Sequence, residues 1–214
     1  MAALQVEYLA HVSSNTDPFE VSVLLDKINR QHIGEYPWTE FKDENVQADF
    51  VIAQGTDCLL LKYYVREPHS KATYLQTNDP VYKDSCVEFF LGIDSPWEYY
   101  NFEFNHAGTG LLCFGTAKER QFLSPALVEQ IKYARSFKKD QSTDLVTWEL
   151  CLVIPFCIFT FHKITQLSGS TCYANFYKCG DDLPIVHYAA WNHISSDTPN
   201  FHLPEFFGRL DFLH

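Results

Sequence analysis

Along most of this chain, apolar side chains recur at every second position over short segments closed by Gly, Pro, Asn or Asp. An extended strand points its side chains alternately to two faces, so each such segment offers one apolar face to a sheet. The segment "VQADFVIAQ" sets Val46, Ala48, Phe50 and Ile52 on one side, and "DCLLLKYYV" does the same with Leu59, Leu61, Tyr63 and Val65. Further strands are expected at 85–93, 99–106, 111–116, 131–137, 145–154, 171–179, 186–191 and 208–213. Short strands at such intervals predict an all-β fold, an antiparallel β-sandwich or jelly roll. One short N-terminal helix is expected at "DPFEVSVLLDKI", with Asp17 as N-cap, Pro18 in the first helical position and Glu20 three residues after the cap. A short turn is expected to begin at "SPAL", 124–127. No repeat, low-complexity tract or linker divides the 214 residues, so 1–214 reads as a single domain, long enough to bury a full core without staples.

Charge narrows the possible partners. Sixteen Lys and Arg against 27 Asp and Glu leave a formal charge of −11. Nucleic acid and anionic membrane surfaces both call for a basic footprint, so neither is an expected partner. A neutral or cationic ligand suits the balance. The longest apolar run, 145–161, is broken by Glu149 and Pro155 and reads as strand plus turn rather than a membrane span. The start, "MAALQVEYLAHVSS", lacks the basic and apolar blocks of a secretory signal. That fits a cytoplasmic protein; a leader already removed would place it in the periplasm or outside the cell. The seven cysteines fall mostly in apolar strands without a CxxC pair, and read as reduced core thiols rather than a disulfide framework or zinc site.

The polar faces of the strands carry the candidate chemistry. In "YYNFEFN", Tyr100, Phe102 and Phe104 point one way, and Asn101, Glu103 and Asn105 the other. The preceding strand, within "YKDSCVEFFLGID", sets Val87, Phe89 and Leu91 against Asp84, Cys86, Glu88 and Phe90. The short "DSPWE" turn favours an antiparallel pair, which brings Glu88 near Glu103 or Asn105. "CYANFYKC" adds Tyr173, Asn175 and Tyr177 on one side. Such a face is either solvated or a surface for a polyhydroxylated ligand. Carboxylates and amides exchange hydrogen bonds with hydroxyls, and aromatic rings cover the C–H faces of a sugar. Trp191 sits where a strand runs into the polar loop "WNHISSDTPN". A Trp there is a buried plug or an exposed stacking platform, and spacing alone favours the plug.

The segments "NDPVYKDSCVEFFL", "YYNFEFNHAGTG", "VTWELCLVIPF", "CYANFYKCGDD" and "HYAAWN…PNFHLPEFFGRLDF" resemble, in order, carbohydrate-binding module family nine and its stand-alone bacterial relatives, from about Trp38 to the end. The resemblance implies a β-sandwich holding a sugar between two aromatic walls, a mono- or oligosaccharide partner, and a role in polysaccharide utilisation. By position, Trp191 looks like one wall and Tyr82 like the other, and Glu88 and Asn105 match polar positions of the site. Under this resemblance Trp191 becomes the platform, and Asn105, with Glu103, lines the cleft floor. Two departures stand out. The first wall is typically Trp rather than Tyr, and the position of Glu103 is often basic. No cofactor is required for such binding. The resemblance implies structural calcium, to which no ligands are assigned here.

Two other functions compete with sugar binding. A glycoside hydrolase would use Glu88 and Glu103 as its carboxylate pair, a spacing that neighbouring strands permit. A haem or metal protein would draw on the nine histidines, with His187, His193 and His202 as candidates to converge near Trp191. Their scattered spacing favours ordinary hydrogen-bonded surface histidines instead.

Overall fold

The computed structural model describes residues 2–143 and 145–214. The strands are β1 (Ala3–Tyr8), β2 (Gln31–His32), β3 (Gln47–Gln54), β4 (Cys58–Glu67), β5 (Cys86–Gly92), β6 (Tyr99–Asn105), β7 (Gly110–Gly115), β8 (Arg120–Phe122), β9 (Lys132–Lys139), β10 (Val146–Pro155), β11 (Thr171–Cys179), β12 (Tyr188–Ala190) and β13 (Gly208–Phe212). Helix α1 spans Pro18–Leu25 and helix α2 spans Pro125–Val128. The helix α1 starts as its sequence predicts: Asp17 accepts a hydrogen bond from the Phe19 amide at 2.8 Å, and Pro18 occupies the first turn. Among the described residues, no helix is long and apolar enough to cross a membrane.

Hydrogen-bonded neighbours run in the order β8-β7-β6-β5-β11-β13-β1-β3-β4-β10-β9, with β12 added to β11 and β2 to β3. Most pairings are antiparallel, as expected. The exceptions are at β1, which pairs in parallel with β13 on one side and with β3 on the other. Thus β1, a segment whose alternation is too weak to stand out in the sequence, joins the two halves of the sheet path.

The two halves face each other across one core. Phe50 of β3 stacks on Phe176 of β11 with ring centroids 3.6 Å apart, and Phe89 of β5 stacks on Phe176 at 4.8 Å. The Tyr63 hydroxyl of β4 crosses this core to donate to the Glu88 backbone carbonyl at 2.8 Å. At one end of the core, Lys178 of β11 lies 2.9 Å from the Glu67 carboxylate of β4, both fully buried. Trp148 Nε1 of β10 donates to the same carboxylate at 2.6 Å. His187 completes this group. Its Nε2 lies 2.9 Å from the Lys178 ammonium, and burial beside that charge pushes its pKa down to about 3. The imidazole is therefore neutral and accepts from Lys178 while its Nδ1–H donates to the Ile185 carbonyl.

A buried ion pair is costly to break from one side, because the remaining charge stays desolvated. Lys178→Met is expected to lower stability by about 3–5 kcal/mol, read from urea unfolding midpoints. Adding Glu67→Gln should recover part of the loss, and a single-variant loss under about 1 kcal/mol would contradict this account.

Candidate functional site

The outer faces of β5, β6 and β11 are not solvated. Cys86, Phe90, Tyr99, Tyr177 and Cys179 lie buried there in a second apolar cluster with Trp38, Phe201 and Phe207. The cover comes from the segment after β12 and from residues around Trp38. Phe201 stacks on Tyr177 with centroids 4.1 Å apart, and Trp38 Nε1 donates to the Ser196 carbonyl at 2.8 Å. His202 lies over Phe90 at 4.8 Å, its Nδ1 2.9 Å from the Tyr99 hydroxyl.

This cover is incomplete, and the gap is a cleft of about 400 Å³. Its floor is the sheet itself: Glu88 of β5, Asn101 and Glu103 of β6, Cys113 of β7 and Cys179 of β11. Trp38, Tyr82, Tyr188, Phe201 and Phe122 supply aromatic lining, and Arg120, Asp181 and His202 supply polar groups at the sides. Tyr82 stands in a single helical turn, Val81–Lys83, just before β5.

Register brings the carboxyls together. Glu88 pairs directly with Glu103 across β5 and β6, and with Tyr177 across β5 and β11. Directly opposed residues on one face place their Cβ atoms about 4.5–5.5 Å apart. Asn101 Nδ2 donates to Glu103 Oε1 at 2.8 Å, and the Cys179 thiol donates to Glu88 Oε1 at 3.1 Å. Burial drives both carboxyl pKa values up. For Glu88 the neighbouring Cys179 and Glu103 add to the rise. Glu103 reaches about 7 despite the opposing pull of the Asn101 amide and the Arg120 charge. Asp181, also raised by burial, reaches about 6.

Of the residues expected in a binding cleft, Tyr82, Glu88 and Glu103 line this one together. Asn105 and Trp191 do not. Asn105 is fully buried, and its side chain is spent on its own neighbourhood. Its Nδ2 donates to the Tyr74 carbonyl at 2.7 Å and to Asp84 at 3.0 Å, while its Oδ1 accepts from the amides of Ala107 and Thr109. It braces the turn after β6. Trp191 packs into the main core, edge-on to Phe50 at 5.8 Å and to Phe176 at 5.6 Å. Gly208 makes room for its ring: a Cβ there would come within 2.6 Å of the indole. Trp191 follows the last residue of β12 and, partly buried, packs against the inner layer instead of standing in this cleft. The three histidines do not share a site either. His187 bonds Lys178, His193 faces Glu35 at 3.3 Å, and His202 bonds Tyr99.

Trp38, Arg120, Asp181 and Tyr188 were not singled out from the sequence. Asn101 shares the strand face of Glu103, where alternation placed it, though it was not counted among the expected binding residues. The others sit on loops or short strands far away in the chain, with no periodic signal.

Among the described residues, Cys86, Glu88 and Cys179 form the group whose side-chain donors lie within 4.8 Å of one another, close enough to hold a metal. Two thiols do not suit calcium, which takes roughly six to eight oxygen ligands. The calcium implied by resemblance does not fit here.

The comparisons with known proteins agree with this fold. The model of carbohydrate-binding family 9 matches residues 19–212, and the chain belongs to that family. It is 34% identical to a candidate carbohydrate-binding protein from Bacteroides uniformis ATCC 8492, at TM-score 0.89 over 98% of both chains. It also resembles a family 9 module from Caldicellulosiruptor kristjanssonii in complex with glucose, at 12% identity and TM-score 0.66 over 99% of this chain and 95% of that one. The same holds for a family 9 module from that organism in complex with cellotriose, at 14% identity and TM-score 0.64, covering 99% and 94%. At those identities the likeness is one of fold. No curated protein matches the chain.

The raised carboxyl pKa values predict a stability that depends on pH. The folded chain keeps the Glu103 proton between the ordinary value of 4.5 and about 7, where the unfolded chain has released it. This contribution is complete below 4.5 and is lost as pH rises through about 7. Glu103→Gln, which carries no titrating group, should flatten that fall by up to roughly 3 kcal/mol. Urea midpoints at acidic and mildly alkaline pH compare the two proteins, and parallel curves would exclude Glu103 as the source.

Proposed function

We propose that this chain is a non-catalytic module, a single sandwich-type domain of the jelly-roll kind, that binds a mono- or oligosaccharide in the cleft over β5, β6 and β11. The observation that supports this most directly is the composition of the cleft. Aromatic rings of Tyr82, Tyr188 and Trp38 stand around a floor of Glu88, Glu103 and Asn101. Rings cover the C–H faces of a sugar, and the carboxyl and amide groups meet its hydroxyls. The glucose and cellotriose held by structural relatives with this fold point to the same ligand class. Binding of this kind needs no cofactor, and a role in polysaccharide utilisation follows from the ligand. A few stacking contacts and hydrogen bonds, less the cost of ordering, suggest micromolar to millimolar affinity, roughly −4 to −8 kcal/mol.

Hydrolysis by Glu88 and Glu103 is the competing reading, because the two are direct cross-strand partners. A retaining or inverting pair needs one carboxyl protonated and the other ionised. Here burial raises both, and no motif assigns one as acid and the other as nucleophile, so binding is favoured. Release of aryl alcohol from chromogenic glycosides, abolished by Glu88→Gln, would reverse this preference.

Calorimetric titration with glucose, cellobiose, cellotriose and a wider sugar panel tests the binding reading. Tyr82→Ala and Tyr188→Ala should each weaken a bound sugar by about 0.5–1.5 kcal/mol, or roughly twofold to tenfold. Trp191→Ala should lower stability while leaving affinity unchanged. Ligand should shift tryptophan emission in the native protein and fail to do so in Trp38→Phe. Silence across the whole panel would remove the proposal.

A further inference from the structure

The buried polar atoms at the cleft that lack a partner are Glu103 Oε2 and Asn101 Oδ1. Both are acceptors. Asn101 is 1% exposed and Glu103 is 6% exposed, and both line the cleft. Asn101 Nδ2 donates to Glu103 Oε1, which leaves the amide's own oxygen free. Trp38 Nε1 bonds the Ser196 carbonyl, and Arg120 donates to the carbonyls of Thr116 and Ala117 at 3.5 and 2.8 Å.

Charge runs the same way. Three carboxyl groups, Glu88, Glu103 and Asp181, line the cleft, and among the described lining residues Arg120 is the one permanent cation. His202, which also lines it, is held neutral by burial and by the Arg120 charge. A buried acceptor left without a donor costs about 1–3 kcal/mol, and more when it carries charge. A sugar hydroxyl answers such a site with one donor and no charge. A protonated amine answers it with three donors and a full positive charge.

Resting on the carbohydrate reading above, we propose that the cleft selects an amino sugar with a free ammonium group, placed against Glu103 Oε2 and Asn101 Oδ1. The amine lets the Glu88–Glu103 pair ionise together and fills both acceptors at once. An N-acetylated sugar offers a single amide N–H and no charge, so it loses the advantage. An acidic sugar would be repelled.

Calorimetry with glucosamine, galactosamine and mannosamine, each beside its neutral parent and its N-acetyl derivative, tests the selection. At least one free amine is expected to bind about tenfold or more tighter than both counterparts, equivalent to about 1.4 kcal/mol. Added salt should erode the difference, since it rests on charge. Glu103→Gln should abolish the preference, weakening the free amine by more than it weakens the neutral parent sugar. Arg120→Gln, at an exposed position on β8, should sharpen it. Neutral and amino sugars binding equally, with either variant indifferent, would overturn the amine inference and leave sugar binding standing. No heat from any sugar, neutral or charged, would overturn both.

Discussion

The register of β5 against β6 and β11 is the constraint on which everything else in this molecule depends. It is set from the inside. Phe89 stacks on Phe102 and on Phe176, and Phe176 in turn lies against Phe50 from the opposite half of the sheet path. A slip of one residue would exchange the faces of a whole strand, driving Glu88 or Glu103 into that ring stack. The core therefore decides the position of the polar pair without touching it. The Tyr63 hydroxyl, bonded through the core to the Glu88 carbonyl, ties the same point on β5 to β4.

The outer face shows how a binding surface is made from a sheet that has two apolar sides. Phe90, Tyr99 and Tyr177 would leave a large exposed patch if the outer face met water. The long segment between β12 and β13 folds over them, seating Phe201 on Tyr177 and His202 on Phe90. Only the strip containing Glu88, Glu103 and Asn101 is left open. Shielding by this cover is also what raises the carboxyl pKa values, because the charged forms lose water there. Structure and electrostatics thus share one cause.

Two buried ionic devices anchor the ends of this arrangement. Lys178 and Glu67 join β11 to β4 on the inner face, immediately beside Cys179 on the outer one. Lys62, likewise buried, bridges Asp26 at 2.6 Å and Glu149 at 3.0 Å, fastening the end of α1 to β10. In both cases a lysine in the middle of an apolar strand carries its charge to carboxylates rather than to water. Such residues look like errors in a hydrophobic pattern until their partners are seen.

Alternation in the sequence was enough to place the long strands, to divide each into two faces, and to put Glu88 and Glu103 forward as neighbours, while Tyr82 came from the family resemblance alone. It also marked the capped helix, because a cap and a first-turn proline act within a few residues of chain. These signals are local, and physical chemistry reads them locally. The role of Asn105 was beyond its reach, because it is spent on the turn it braces, whereas spacing alone already inclined Trp191 toward the core it packs against near Gly208. Also out of reach were the parallel pairings of β1, and the arrival of Trp38, Arg120, Asp181 and Tyr188 around the cleft. Those depend on segments far apart in the chain meeting over one sheet face, and it is the packing of the whole molecule that brings them together.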